Sequence, residues 1–597
     1  MPATVENFSI AALKETLAPD QVLEPSSEAY SKAVFIGNLN YRMTMPAVVV
    51  QARSVEDVQA TVVFAKENKA RLTVKNGGHS YMGYCLNEGG IVLDVSPMKG
   101  CYINSEANTI TMQAGLVWKD VYYKHLKDPR TIVIGGQCPT VGVSGFTLGG
   151  GLSPFSRSYG LACDNVLSMT IVTHDGEIVT VSDKDEDEEK RDLFWALRGG
   201  GGGNFGVTVN MTCRLHKLND LDGNIVSGNI TWNLPQQQKE FNDMMEKFNT
   251  IPCPEELTAD ALWTHGSKKQ LTGGMTIIYN GSWDAAQKAL SYLLAYKPAS
   301  IKLNAGKWTE KVHQDEGWDP FSQVYHHHAS FIFAEGAINR EVNSKISALV
   351  AEAVKILGIT DENGANDPKC HVLWDHIGGA TTAVGAEDTA FYWRQGHYVC
   401  TIKVQWTDPL AKNQMMEFIA KCKTTLLPYA IEKKAAYLNY IDGTVPDWQE
   451  AYYGRNYTRL QKVKTRWDPD NFFFNMQSIR PLEDGSKDRE IHGVLPVPSE
   501  EEILDLPQVK KVEQWWDRYA SLATPDLLGS PKTEAEVFKR DCAIRCAILE
   551  GRDPSSQVLG SEERGGSEKG PVRIEHRELK VADDVKNPRI ISTIVSV

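Results

Sequence analysis

Two stretches of this chain carry almost no side-chain bulk, and they limit what it can fold into. Residues 74 to 95 read VKNGGHSYMGYCLNEGGIVLDV, with His79 behind two glycines in a loop between two strand-like apolar runs. Residues 135 to 151 read GGQCPTVGVSGFTLGGG, where Cys138 precedes a proline and a row of small residues. Glycine lets a backbone turn tightly and come close to another group. Successive N–H groups in such a turn also form a nest for an anion, and a diphosphate suits the first loop. Taken singly, a histidine and a cysteine in such loops read more simply as a hydrogen-bonding fixture and a packed thiol.

The surrounding patterns describe an α/β segment. Ser54 and Asp57 resemble a capping box, and Val55, Val58, Val62 and Ala65 recur at helical spacing, predicting a helix over 54–69. RLTV and IVLDV read as strands on either side of the His79 loop. TITMQAGL follows as a strand, VWKDVYYKHLKD as a helix and TIVIGG as a strand. VLSMTIVTHDGEIVTVS reads as a hairpin turning at Asp175 and Gly176. From about 220 to 430 longer strands, such as LTGGMTIIYNGSW and GHYVCTIKVQW, alternate with amphipathic helices, as in a largely antiparallel sheet. Beyond about 483 the chain turns polar and glycine-rich and reads as linker or disorder, interrupted by a possible helix at PQVKKVEQWWDRYASLA.

A chain of 597 residues is too long for one ordinary core. Its net charge of -13 comes with no basic stripe, which argues against nucleic acid and anionic membranes as partners. No apolar run approaches the roughly 18 residues that would span a bilayer. The first residues, MPATVENFSIAALKETLAPD, show neither a basic n-region nor an apolar h-region, which suggests a cytoplasmic protein and makes the five N-x-S/T sequons chance occurrences. The 11 cysteines are odd in number, scattered and free of any C-x-x-C pair, so they read as reduced thiols.

Three features invite over-reading. GGGNFG at 201–206 fits G-x-G-x-x-G, but a Rossmann-type site needs strand, then glycines, then helix. Here DLFWALR reads as a helix before the glycines and VTVNMTCRLH as a strand after them, so the glycines serve a tight turn. His326, His327 and His328 are adjacent, and consecutive side chains diverge; they read as a solvated or core-edge cluster. DKDEDEEKRD at 183–192 reads as a solvated surface loop.

Taken together, the motifs resemble the berberine bridge enzyme-like flavoproteins of the vanillyl-alcohol oxidase superfamily, relatives of the glucooligosaccharide oxidases. The resemblance covers roughly residues 35 to 482. It rests on GGHSY, on CPTVG about 60 residues later, on YGLACDNV at 159–166, on LFWALRGGGGGNFGV and on the closing YLNYID and VKTRWDPDNFFFNMQSI. It implies an α+β architecture: a two-subdomain FAD-binding α/β module plus a substrate domain with a large antiparallel sheet backed by helices. The expected organisation is an N-terminal segment at 1–34, an FAD-binding domain at 35–218 and a substrate domain at 219–430. Residues 431–482 then return to the FAD-binding domain, and 483–597 form a polar tail.

The resemblance implies covalent FAD, with His79 bonded to the 8α-methyl and Cys138 to C6 of the ring. Imidazole and thiolate are nucleophiles suited to an electron-poor ring. Asn76, Gly77, Gly78, Ser80, Val141, Gly142, Gly145 and Asn439 complete the expected cofactor-binding set. Cys163 is read as packing. Tyr440 matches the tyrosine that deprotonates substrate in many relatives, although a phenol has an ordinary pKa of about 10. Tyr437 is expected as a second wall residue on the same face of an extended segment, with Asn439 turned the other way. The implied cycle is that of an oxidase acting on a small molecule, with dioxygen giving hydrogen peroxide. Val141, three residues after the anchoring cysteine, is a residue that oxidases of the family tend to carry.

This chain also departs from the pattern. Ser144 and Phe146 stand where many relatives have glycine and histidine, which makes a sugar substrate less certain. Val399 aligns with an acid of several plant relatives, so carboxylate assistance to the base is expected to be absent. The expectation is an oxidase of a small natural-product intermediate, acting on an alcohol or driving ring closure. A carbohydrate oxidase and a flavoprotein that cyclises or binds without redox chemistry are the alternatives.

Overall fold

The computed structural model describes residues 8–265, 270–314, 324–357, 369–408, 411–482 and 534–549. The helix expected in PQVKKVEQWWDRYASLA lies outside them. A four-stranded sheet runs in the order Val22–Leu23, Val48–Gln51, Ile91–Asp94, Leu72–Lys75. The last three strands are parallel and nearly all of their residues are buried, which is why they read as unbroken apolar runs. Parallel neighbours need a crossover. The helix Val55–Glu67 supplies one, and it starts at the expected capping box of Ser54 and Asp57. The other crossover is the His79 loop itself, which leaves the end of Leu72–Lys75.

A second sheet is antiparallel, in the order Cys101–Asn104, Thr109–Gln113, Val207–Arg214, Val166–Val172, Ile178–Ser182. The hairpin turns where expected, with Gly176 at φ +83. The order helix, glycines, strand also holds, as Glu188–Leu197 precedes Val207–Arg214. The acidic run at 183–192 is not a loop throughout. Asp187 caps the helix, and Glu188 and Glu189 fill its first turn, where the helix dipole favours acids. The helix expected in VWKDVYYKHLKD is a π-helical turn, Asp120–His125, and TIVIGG pairs only over Thr131–Ile132. Beyond that strand Gly135 packs on the Trp118 ring so closely that a Cβ would lie 2.4 Å from it.

The third sheet has seven antiparallel strands in the order Ser300–Lys307, Asn224–Leu234, Leu271–Tyr279, Leu257–His265, Lys369–His376, Tyr398–Trp406, Tyr325–Phe333. One face packs against the helices Gln238–Phe248, Arg340–Ile356 and Lys412–Leu426 to form the largest apolar core. The chain then returns through Trp448–Tyr453 and Tyr457–Trp467 to the second sheet. Lys464 anchors the return. It is fully buried and donates to Asp468 Oδ2 at 2.6 Å and to the carbonyls of Asn204 and Phe473. A helix that the polar tail did not suggest, Glu534–Leu549, docks on Glu28–Ala33. Its Arg545 donates to Ser31 and to the Arg42 carbonyl, both near 3 Å. Among the described residues no helix is long and apolar enough to cross a membrane, and no cluster of ligand residues suits a metal ion.

Candidate active site

The two glycine-rich loops interlock. A Cβ on Gly77 would lie 2.7 Å from the Gly142 nitrogen and 2.8 Å from the Thr140 carbonyl, so only glycine permits the contact. Gly78 turns the chain with φ +72. Asn76 ties the loops to the second sheet, donating to the Leu116 carbonyl at 3.1 Å and to Ser144 Oγ at 3.2 Å. Ser80 closes its own turn by accepting from the Tyr84 N–H. Thr140 brings His79 and Cys138 together: its hydroxyl lies 3.0 Å from His79 Nε2 and 3.7 Å from Cys138 Sγ. Burial, then the charges of Lys403 and Lys75, bring the His79 pKa down to about 4, so the imidazole is neutral at physiological pH. Burial pushes the Cys138 thiol up, against hydrogen bonds with Thr140 that lower it.

These loops form one wall of a cavity whose other walls come from the glycines at 201–203, from 437–441 and from 473–477. The glycines set aside in the G-x-G-x-x-G pattern therefore do border the site, although without a helix behind them. Gly145 and Gly203 face open space, with no atom within 4 Å of where a Cβ would stand. Asn76 Oδ1, Tyr81 OH and Thr208 Oγ1 line the same cavity as buried polar atoms without a protein partner. A cradle of bare backbone edged by unsatisfied polar atoms fits a large polar cofactor. Val141 and Gly142 line it beside Cys138. Of the two departures, Ser144 is used internally, donating to the Ala114 carbonyl at 3.0 Å. Phe146 packs edge-on to Trp118 and presents an apolar wall. Cys163 is fully buried, as expected for packing.

The base end is built on a 3-10 turn, Leu438–Tyr440, rather than an extended segment. The turn keeps Tyr437 and Tyr440 together, edge to face with ring centroids 5.1 Å apart. It also brings Asn439 round to the same side, where its amide donates to the Tyr437 hydroxyl at 3.0 Å and to the Phe146 carbonyl at 2.9 Å. The opposite orientation expected for Asn439 is thus overturned. The Tyr437 oxygen accepts from the Gly151 N–H as well, and its phenol is committed to the wall.

Tyr440 has a different partner: its hydroxyl donates to Asp375 Oδ2 at 2.9 Å. The expected absence of a carboxylate is therefore corrected. Val399 is apolar, but Asp375 stands directly across from it on the neighbouring strand, so the acid reaches the same place from the next strand. Burial, and then the nearby Asp260, push the Asp375 carboxyl well above the usual carboxylate range. Burial and the Asp375 charge likewise raise Tyr440. The two groups share a site in which a second negative charge is strongly disfavoured.

The histidine cluster is not solvated. His327 points to one face and bonds to Asp442 at 3.0 Å. His326 and His328 point to the other, with 3.1 Å between their nitrogens, and His328 stacks on Tyr81 at 3.6 Å between centroids. Tyr81 in turn stacks on Tyr440 at 5.9 Å. Alternation along a strand was the signal that could have separated these histidines.

Comparisons with known proteins agree with this geometry. Residues 46–182 match the FAD binding domain family and residues 436–480 the berberine and berberine-like family. An uncharacterized FAD-linked oxidoreductase of Bacillus subtilis is 29% identical over 448 residues, covering 73% of this chain and 92% of the relative. A VAO-type flavoprotein oxidase of Thermothelomyces thermophilus is 27% identical, covering 78% of this chain and 82% of the relative. The structure of berberine bridge enzyme from Eschscholzia californica superposes with a TM-score of 0.69 at 21% identity, over 80% of this chain and all of the other. A berberine bridge enzyme-like protein of Physcomitrella patens gives the same score at 24% identity, over 79% of this chain and all of the other. Fold and site define an FAD-linked oxidoreductase. The chain carries an FAD binding domain and a berberine-like domain, and berberine bridge enzyme-like and VAO-type oxidoreductases are among its homologues.

Proposed function

We propose that this enzyme oxidises the alcohol of a small molecule, with the Tyr440–Asp375 pair as the proton acceptor and with dioxygen as the final oxidant. The observation that carries the reading is the hydrogen bond from Tyr440 to Asp375 at the edge of the cavity. In its singly charged form the pair takes the substrate hydroxyl proton at the Tyr440 oxygen while Tyr440 passes its own proton to Asp375 Oδ2. That route never requires a free phenolate in a buried site, which would be costly. FAD, when bound, would supply the redox chemistry, as hydride acceptor towards the substrate and electron donor towards dioxygen, with hydrogen peroxide as the co-product. His79 and Cys138 would hold it covalently. A neutral imidazole is the nucleophilic form, and Thr140 keeps both side chains on one side of the cavity. Val141 would leave the approach beside Cys138 open to dioxygen.

Acid precipitation tests the covalent reading. The wild-type pellet is expected to stay yellow and to carry a flavin mass adduct. His79→Ala and Cys138→Ala should each keep a single linkage, and the double variant should release all of its flavin. A colourless wild-type pellet would remove both anchors from the proposal. Peroxide release on alcohols, measured on the same preparation, tests the reaction; flavin reduction without peroxide would make the enzyme a dehydrogenase.

A further inference from the structure

The inner face of the seven-stranded sheet carries a second feature that the reaction proposed above does not use. Its pairing register sets His328, Lys403 and His371 side by side across three strands, with His326, Gln405 and Lys369 as the next row. Directly opposed side chains lie roughly 5 Å apart at Cβ. Their neighbours along each strand, such as Ala329, Phe331, Val372 and Ile402, belong to the apolar core on the far face.

The row is buried and unsatisfied. Lys403 is 7% exposed and forms no hydrogen bond or ion pair with any described residue. Lys464, which is fully buried, has three acceptors by contrast. His328 Nδ1, His371 Nε2 and the nearby Thr401 Oγ1 are likewise buried without partners. The groups acting on His328 are His326, Lys403, His371 and His327, and no carboxylate is among them. Those acting on Lys403 are Lys369 and the Cys138 thiol. Burial brings Lys403 down only to about 8, so it remains charged at neutral pH. A buried cation with unpartnered polar atoms beside it and no counter-charge among the described residues has one missing partner, an anion.

We propose that the His328–Lys403–His371 row binds a carboxylate of the substrate. The row lies behind Tyr81, a wall residue of the cavity: Tyr81 stacks on His328 on one side and on Tyr440 on the other. Lys403 and Val399, the residue opposite Asp375, are four positions apart on one strand, which is roughly 13 Å. The substrate is then a hydroxy acid whose carboxylate and oxidised carbon are separated by several bonds. This inference rests on the reaction proposed above for the oxidised end, and on the sheet face alone for the carboxylate end.

The test uses the purified holoenzyme with benzoate and its neutral counterpart benzamide, read by calorimetry and by the change in flavin absorbance. Benzoate is expected to bind at least about tenfold more tightly than benzamide. Lys403→Gln should weaken benzoate roughly ten- to a hundredfold and leave benzamide unchanged. Lys403→Arg should restore most of the loss. Should Lys403→Gln fail to fold, His371→Gln is to be measured instead and should weaken benzoate alone. Equal binding of benzoate and benzamide, absence of benzoate binding, or benzoate binding indifferent to both substitutions would overturn the site. Tyr440→Phe should bind benzoate normally. An enzyme that binds benzoate through Lys403 but oxidises no alcohol refutes the reaction and leaves the anion site standing. One that oxidises neutral alcohols and ignores benzoate refutes the site alone.

Discussion

The two faces of the seven-stranded sheet follow the same alternation and have opposite contents. The outer face presents Trp263, Phe331, Phe333, Trp374 and Val404 to three helices, and these residues are all fully buried against one another. The inner face presents Asp260, His328, His371, Lys403 and Asp375, equally cut off from water or nearly so. Burial of the first set stabilises the fold. Burial of the second set opposes it, because each group is removed from water without full compensation. The apolar face supplies the stability that offsets this load.

Substitutions on the two faces should therefore separate function from stability. The largest effect is expected from Tyr440→Phe. Flavin reduction by substrate, followed anaerobically by stopped flow, should slow about a thousandfold with flavin content and melting temperature unchanged. Asp375→Asn should slow it less and displace the rising limb of the pH profile, because that limb belongs to the pair. A normal rate in Tyr440→Phe would remove the inner face from the reaction. Next comes Trp374→Ala on the outer face, one position from Asp375. Deleting a stacked, fully buried indole should cost about 3–5 kcal/mol in denaturant unfolding. Any variant molecules that remain folded should keep the wild-type rate of flavin reduction.

The smallest effect sharpens the contrast through pH. Burial pushes the Asp260 carboxyl up to about 7. Between pH 4 and 7 the folded protein therefore holds a proton that the unfolded chain has lost. Stability falls as pH rises through that window and levels off above it. Asp260→Asn removes the term while keeping an acceptor for the His376 N–H, which Asp260 Oδ1 takes at 2.7 Å. The variant should be more stable than wild type by roughly 2 to 4 kcal/mol at pH 8 and equal to it at pH 4. A wild type that is more stable at pH 8 than at pH 5, with the variant unchanged, would mean that the inner face is not strained.

The features readable from the sequence were those whose physics is local. The capping box at Ser54, the Asp175–Gly176 turn and the turn at Gly78 each need only neighbouring atoms. His79, Cys138 and Tyr440 stood out because the motifs around them are distinctive. Asp375 did not, since it meets Tyr440 from 65 residues away and across a strand boundary. Val399 carries no acid, and the carboxylate comes instead from the neighbouring strand, which only the pairing register places beside it. Asn439 was misplaced because a 3-10 turn and an extended segment differ by a few backbone angles that no periodicity records.

By itself the sequence determined the glycine-rich loops that can cradle a cofactor and the resemblance of its motifs to FAD-linked oxidoreductases. Only the tertiary structure decided which side chains meet across the sheet. His328, Lys403 and His371 come from three separate strands, and the pairing register alone sets them side by side. A strand's alternation states that two faces exist, and only the packing of helices on one of them decides which face is the apolar core.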